Sequence, residues 1–156
     1  MTSRRSVLKT MIAAPLVAIV ARADARDYTS AGEVFAEIDR LEAELDARLS
    51  SLATRFPAAA SLARSVRADH ERHRRVRAGL RRRLGVAQAP PAPAPTATAS
   101  VDAMRAIAQD LVHAHAEGLP ALRDAEAVDT LARNMVDDAR HLAVLQMWME
   151  TEQPDA

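Results

Sequence analysis

The chain has no cysteine. That excludes disulfides, thiolate metal sites and a cysteine nucleophile, and it leaves any metal ion to imidazole and carboxylate donors. Aromatic residues make up only 3% of the sequence, so a core must be built from Ala, Leu, Val and Met. Side chains of that size suit closely packed helices better than a β-sandwich. Glycine occurs 4 times, and the one proline cluster lies mid-chain, so the helix breakers divide the sequence into two long halves. Lysine occurs once, at Lys9, and every other basic side chain is arginine. With so much alanine beside it, that bias makes clustered arginine less informative than usual. A length of 156 residues allows at most one ordinary domain, and the formal net charge is zero.

What is present begins with TSRRSVLKTMIAAPLVAIVARADA. A basic head (Arg4, Arg5, Lys9) precedes an uncharged run, Thr10–Ala21, and then small residues at A-x-A spacing. The apolar run falls short of the roughly 20 residues a spanning helix needs but suits a signal peptide. SRRSVLK also resembles the twin-arginine export motif, with Val7 in place of the usual Phe. That resemblance implies a leader over residues 1–25, the twin-arginine export machinery as a partner, and an exported, periplasmic or cell-envelope location. An ordinary secretory signal or an N-terminal anchor is the alternative. Loss of Arg4, Arg5, Lys9, Arg22 and Asp24 would leave a mature chain about three charges negative, basic up to residue 99 and acidic beyond it.

Residues 26–156 read as four helices. Apolar residues recur at helical spacing from Ser30 to Ala53 through Val34, Phe35, Ile38, Leu41, Leu45, Leu49 and Leu52. Pro57 breaks this pattern. A second stretch runs from Ala58 to Leu84 through Leu62, Val66, Val76 and Leu80, stopped by Gly85. A third should run from Val101 to Leu122 with Ser100 as its N-cap and Pro120 ending its last turn. A fourth, capped by Asp124, should run from Ala125 to Thr151 and turn Val128, Leu131, Met135, Leu142, Leu145 and Met149 inward. Met104, Met135 and Met149 read as core filler.

Between the halves, residues 86–99 include QAPPAPAPTATA, a polyproline-type linker. Extended at about 3.1 Å per residue it reaches roughly 40 Å, the length of a helix of about 26 residues. A linker of that reach returns the chain along the whole bundle, whereas a plain up-and-down bundle needs only a short turn there. The expected class is therefore all-α, a ferritin-like four-helix bundle with a long Pro-rich crossover between helices two and three.

VRADHERHRR (Val66–Arg75) holds two of the five histidines. On a helical wheel His70 and His73 share the stripe of Leu62, Val66, Leu80 and Leu84, while Arg72, Arg75 and Arg82 leave it. The same test turns Glu42 inward between Phe35 and Leu49. Equal spacing about Phe56 sets Glu42 opposite His70. In VDDARHLAVL (Val136–Leu145), Asp138 lies in the apolar arc and His141 at its edge. His115 turns inward beside Leu111 and reads as a core-edge histidine; His113 faces out. Histidine and carboxylate three residues apart on one helix face can converge on a single ion. Imidazole suits iron, zinc, copper or nickel.

Asp138–His141 followed by LAVL resembles the E-x-x-H motif of helix four in ferritin-like proteins, and HAEGLPALRDAE (His115–Glu126) resembles the junction between helices three and four of exported ferritin-like proteins of unknown function. The di-iron members use a Glu on helix one, E-x-x-H on two, a Glu on three and E-x-x-H on four. By position, Glu42 matches the first, His70 stands where the second motif has its Glu, His73 matches its His, and Asp138 and His141 match the fourth. Helix three departs from the pattern. Counting back through its turn leads to about Ala108, which is no ligand, and sets His115 roughly 10 Å away by rise. That departure argues against a carboxylate-bridged di-iron oxidase.

Three functions fit these residues. One is an exported bundle holding one or two transition-metal ions, iron or else zinc, copper or nickel, through Glu42, His70, His73, Asp138 and His141, with His115 as a further donor. Another is a metal-free structural or interaction module of the cell envelope, in which basic helix two pairs with acidic helices three and four, within one chain or in a homo-oligomer. The third is a small acid–base enzyme, for which no nucleophile motif, phosphate loop or substrate pocket is legible. The arginines of Arg72–Arg83 are dispersed around their helix, and this reads as a solvated face or one for an acidic partner rather than a nucleic-acid surface.

Overall fold

The structure is a computed structural model that describes residues 26–88 and 100–152. The expected signal peptide, with Arg4 and Arg5, and most of the Pro-rich crossover lie outside the described residues. Four helices pack together: α1 (Ala31–Arg55), α2 (Ala60–Leu84), α3 (Val101–Gly118) and α4 (Ala125–Glu152). Among the described residues there is no strand, and no helix is long and apolar enough to cross a membrane.

Local chemistry sets the ends. Ser30 accepts from the Glu33 amide at the start of α1, and Ser100 accepts from the Ala103 amide at the start of α3. Asp124 does the same for Ala127 at the head of α4. Gly85 closes α2 in the left-handed region at φ 67°, where a Cβ is penalised. The α1–α2 connection contains a short 3-10 turn, Pro57–Ala59, and α3 gives way at Gly118 to another, Leu119–Ala121, which holds Pro120. Helix three therefore ends sooner than its apolar pattern suggests.

Each helix buries one stripe. On α2 the buried positions include Ala63, Val66, His70, His73, Arg77 and Leu80, alternating steps of three and four. Val76, read as part of that stripe, is 45% exposed. Arg77 takes the inward place next to it.

α1 packs against α2 and α3, and α4 packs against α3 and α2, so α1 lies diagonally across from α4. Contacts at the helix ends give the directions. The backbone of Arg26 donates to Glu117, and Gly118 lies against Val34, so the start of α1 meets the end of α3. Arg83 pairs with Asp124, and Phe56 stacks edge-on against Trp148 at 6.0 Å. Neighbouring helices are thus antiparallel, and α2 and α3, on the other diagonal, run the same way. The end of α2 and the start of α3 lie at opposite ends of the bundle.

Candidate metal centre

Midway along the bundle the apolar stripes are interrupted by Glu42, His70, His73, Arg77, His115 and Asp138, all buried. His141 lies at the edge with 12% of its side chain exposed. Every residue expected at the site is therefore gathered in one region, and Asp138 is its hub. Its carboxylate lies 3.3 Å from His70 Nε2, 3.4 Å from His141 Nδ1, 2.9 Å from His115 Nε2 and 4.0 Å from His73 Nδ1. Two overlapping ligand groups share it, His70–Asp138–His141 and Glu42–His73–Asp138, each with its donor atoms within 4.8 Å of one another.

The outer nitrogen of three histidines meets a carboxylate. His70 Nδ1 lies 2.6 Å from Asp46, His141 Nε2 lies 2.9 Å from Asp69, and His73 Nε2 lies 3.4 Å from Asp137. An ionised carboxylate only accepts, so the proton of each neutral ring belongs on that outer nitrogen. In their neutral forms His73 and His141 then present lone pairs from their inner Nδ1 atoms to the oxygens of Glu42 and Asp138, whereas His70 keeps a proton on Nε2 toward Asp138 until an ion displaces it. None of these three nitrogens has an aligned hydrogen-bond partner, nor does either oxygen of Asp138 or either nitrogen of His115. Acceptors facing acceptors inside a protein repel unless a positive centre lies among them.

Electrostatics locate the unbalanced charge. Arg77 donates through Nη1 to one oxygen of Glu42 at 2.8 Å and through Nη2 to the other at 2.5 Å. The same guanidinium reaches Asp39 at 2.8 Å, and Arg81 pairs with Asp39 at 2.7 Å. Burial alone would raise the Glu42 carboxyl, but Arg77 holds it below the usual carboxylate range. Burial would likewise raise Asp138, yet the surrounding imidazoles press it well below its ordinary value. Burial lowers His70, while Asp138 and Asp46 outweigh it and bring the imidazole up to about 9. With Glu42 and Asp39 answered by Arg77 and Arg81, the cation facing Asp138 is protonated His70, and a metal ion can take that place.

Three expectations are corrected. Glu42 does not sit opposite His70: it meets Arg77, and His70 meets Asp46. The hairpin pivots on the Pro57–Ala59 turn, not on Phe56, which shifts the register toward the end of α2. His115 is not two turns away from Asp138 but in contact with it. Side chains lean toward the N-terminus of their own helix, and on antiparallel α3 and α4 that brings His115 and Asp138 toward each other. The arginines of α2 are not all solvated, since Arg77 and Arg81 are buried.

Sequence reasoning also missed the outer carboxylates Asp46, Asp69 and Asp137. Their signal was present for the last two, because Asp69 adjoins His70 and Asp137 adjoins Asp138. Beside the cluster a half-open apolar pocket lined by Leu45, Leu49, Val66, Ala108 and His141 has about 210 Å³ of empty space including its mouth. No protein-family model, curated protein or solved structure matches the chain.

Proposed function

We propose that this protein holds a divalent first-row transition ion in the core of a ferritin-like bundle, for storage, buffering or redox use. One observation carries the reading. Buried His70 and His73 and the edge residue His141 each give one nitrogen to an outer carboxylate and turn the other, with no aligned hydrogen-bond partner, toward Asp138 or Glu42. Metal-bound histidines are held in this way, because the outer acceptor fixes both the tautomer and the ring orientation. Zinc bonds of about 2.0–2.2 Å put neighbouring donors of a tetrahedral shell roughly 3.3–3.6 Å apart. The separations of 3.3 and 3.4 Å from Asp138 to His70 and His141 suit that spacing.

The donor set is rich in nitrogen, which favours zinc, copper, nickel or iron(II) over magnesium or calcium. Glu42 is already clasped by Arg77, so of the two buried carboxylates among the described residues Asp138 is the one left to bind an ion. That supports one ion per chain over a bridged pair. Antiparallel neighbours with α2 and α3 running the same way support the ferritin-like arrangement, and SRRSVLK supports export to the cell envelope.

A metal-free envelope bundle is the second reading. It rests on His70, whose protonated ring between Asp46 and Asp138 can supply the missing positive charge by itself. Elemental analysis of protein purified without a histidine tag separates the two. About one ion per chain is expected in the wild type and almost none in a folded His70→Ala/His141→Ala variant. Equal, negligible metal in both would leave the metal-free bundle standing.

A further inference from the structure

Resting on that reading, we infer that the ion reaches and leaves the core through the seam between α2 and α4, and that Arg72 is the latch on that route. His70, His73, His115 and Asp138 are buried, so an ion needs a path through the bundle wall. Of the four seams, the one between α2 and α4 is the least closely packed. It is also joined by polar pairs: His70–Asp138, His73–Asp137, His141–Asp69, Arg72–Asp137 and Arg83–Asp124. Polar pairs exchange partners for water and ions at far lower cost than interlocked leucines do.

Two carboxylates bridge inside and outside on this seam. Asp69 and Asp137 are about a quarter exposed, and each also touches a histidine of the cluster. Arg72 lies over both, with Nη1 donating to Asp69 at 2.6 Å and Nη2 to Asp137 at 3.1 Å. Its own side chain is 52% exposed, so this clamp is open to competition from solvent ions. A hydrated cation arriving here displaces the guanidinium, trades water for the oxygens of Asp69 and Asp137, and passes inward to His141, His73 and Asp138. Release runs the same steps in reverse. The latch therefore sets the rate of exchange in both directions and leaves the affinity of the inner site nearly untouched.

The test is metal exchange on the full chain, loaded with cobalt(II) and followed by its absorption. Uptake is read after mixing with free ion, and release after mixing with excess chelator. In Arg72→Ala both rates should rise together by at least about fivefold, with the dissociation constant changed by less than about threefold. Added salt should speed exchange in the wild type and have little effect in the variant. Arg75→Ala, an exposed change one turn along α2 at a residue whose ion pair is with Glu71, should exchange like the wild type. If Arg72→Ala alters release alone, Arg72 holds the ligands in place and the route is refuted. Unchanged rates refute it as well. A wild-type chain that takes up no ion overturns this inference and the metal-binding reading together, whereas bound ion with unchanged exchange removes the inference alone.

Discussion

Arg77 shows how much one buried side chain decides. Its guanidinium is fully buried and answers Glu42 and Asp39 together. Without it, Glu42 is a carboxylate sealed in the core whose nearest remaining cation is the part-exposed Arg74, 3.5 Å away. Removing one partner of a buried pair commonly costs about 3–5 kcal/mol, because the other charge is stranded. Arg77→Ala should lose stability on that scale in urea denaturation, and Arg77→Met combined with Glu42→Gln should recover much of it. A loss below about 1 kcal/mol for the single variant would mean that water or Arg74 takes over the role. The inward turn of Glu42 was legible from its place between Phe35 and Leu49. Its partner was not, since arginine is abundant throughout α2 and the wheel places several of these residues outside.

At the scale of the element, the helices repeat what their sequences announce. Ser30, Ser100, Asp124 and Gly85 sit at the ends where capping chemistry calls for them, and the three-four spacing picks out the inward stripes. Two glycines inside helices separate propensity from fit. Gly79 on α2 has open space where a Cβ would go, so Gly79→Ala should gain about 0.5–1 kcal/mol from lower backbone freedom in the unfolded chain. Gly118 ends α3 where a Cβ would collide with the side chain of Val34. Gly118→Ala should therefore lose about 1–3 kcal/mol, and Val34→Ala in the same chain should relieve part of the clash. Chemical denaturation of the variants measures both signs. A stabilising Gly118→Ala would show that α1 and α3 can separate freely at that end.

Across the whole molecule, stability and metal affinity should respond to pH in opposite directions. The His70 imidazole is raised from about 6.5 to about 9, so its protonated form stabilises the metal-free fold fully below pH 6.5 and that contribution fades as pH rises through 9. Glu42 and Asp138 are held low, so their share is present above their ordinary values and is lost as pH falls through the depressed ones. Metal-free protein should be most stable between about pH 5 and 6.5 and should lose on the order of 2–3 kcal/mol by about pH 9.5. An incoming ion must displace the proton of His70, so affinity should tighten over that same rise. Urea denaturation of chelator-treated protein and zinc titrations at about pH 6 and 8 check the two trends. Flat stability across the interval would mean that His70 is neutral in the fold.

By itself the sequence determined most of the inward stripes and the helix ends at Ser30, Gly85, Ser100 and Asp124, although it overran α3 and placed Val76 rather than Arg77 inward. Both follow from a repeat of about 3.6 residues and from contacts within a few positions along the chain. It thereby delivered Glu42, His70, His73, Asp138 and His141 to one core. Which atoms meet there was decided by tertiary structure. Height across a hairpin depends on the turn, and the Pro57–Ala59 turn moves Glu42 from His70 to Arg77. The lean of side chains on antiparallel helices then closes the gap between His115 and Asp138. The outer carboxylates Asp46, Asp69 and Asp137 acquire their role only once three helices stand side by side, because each fixes the proton of a histidine on a neighbouring helix.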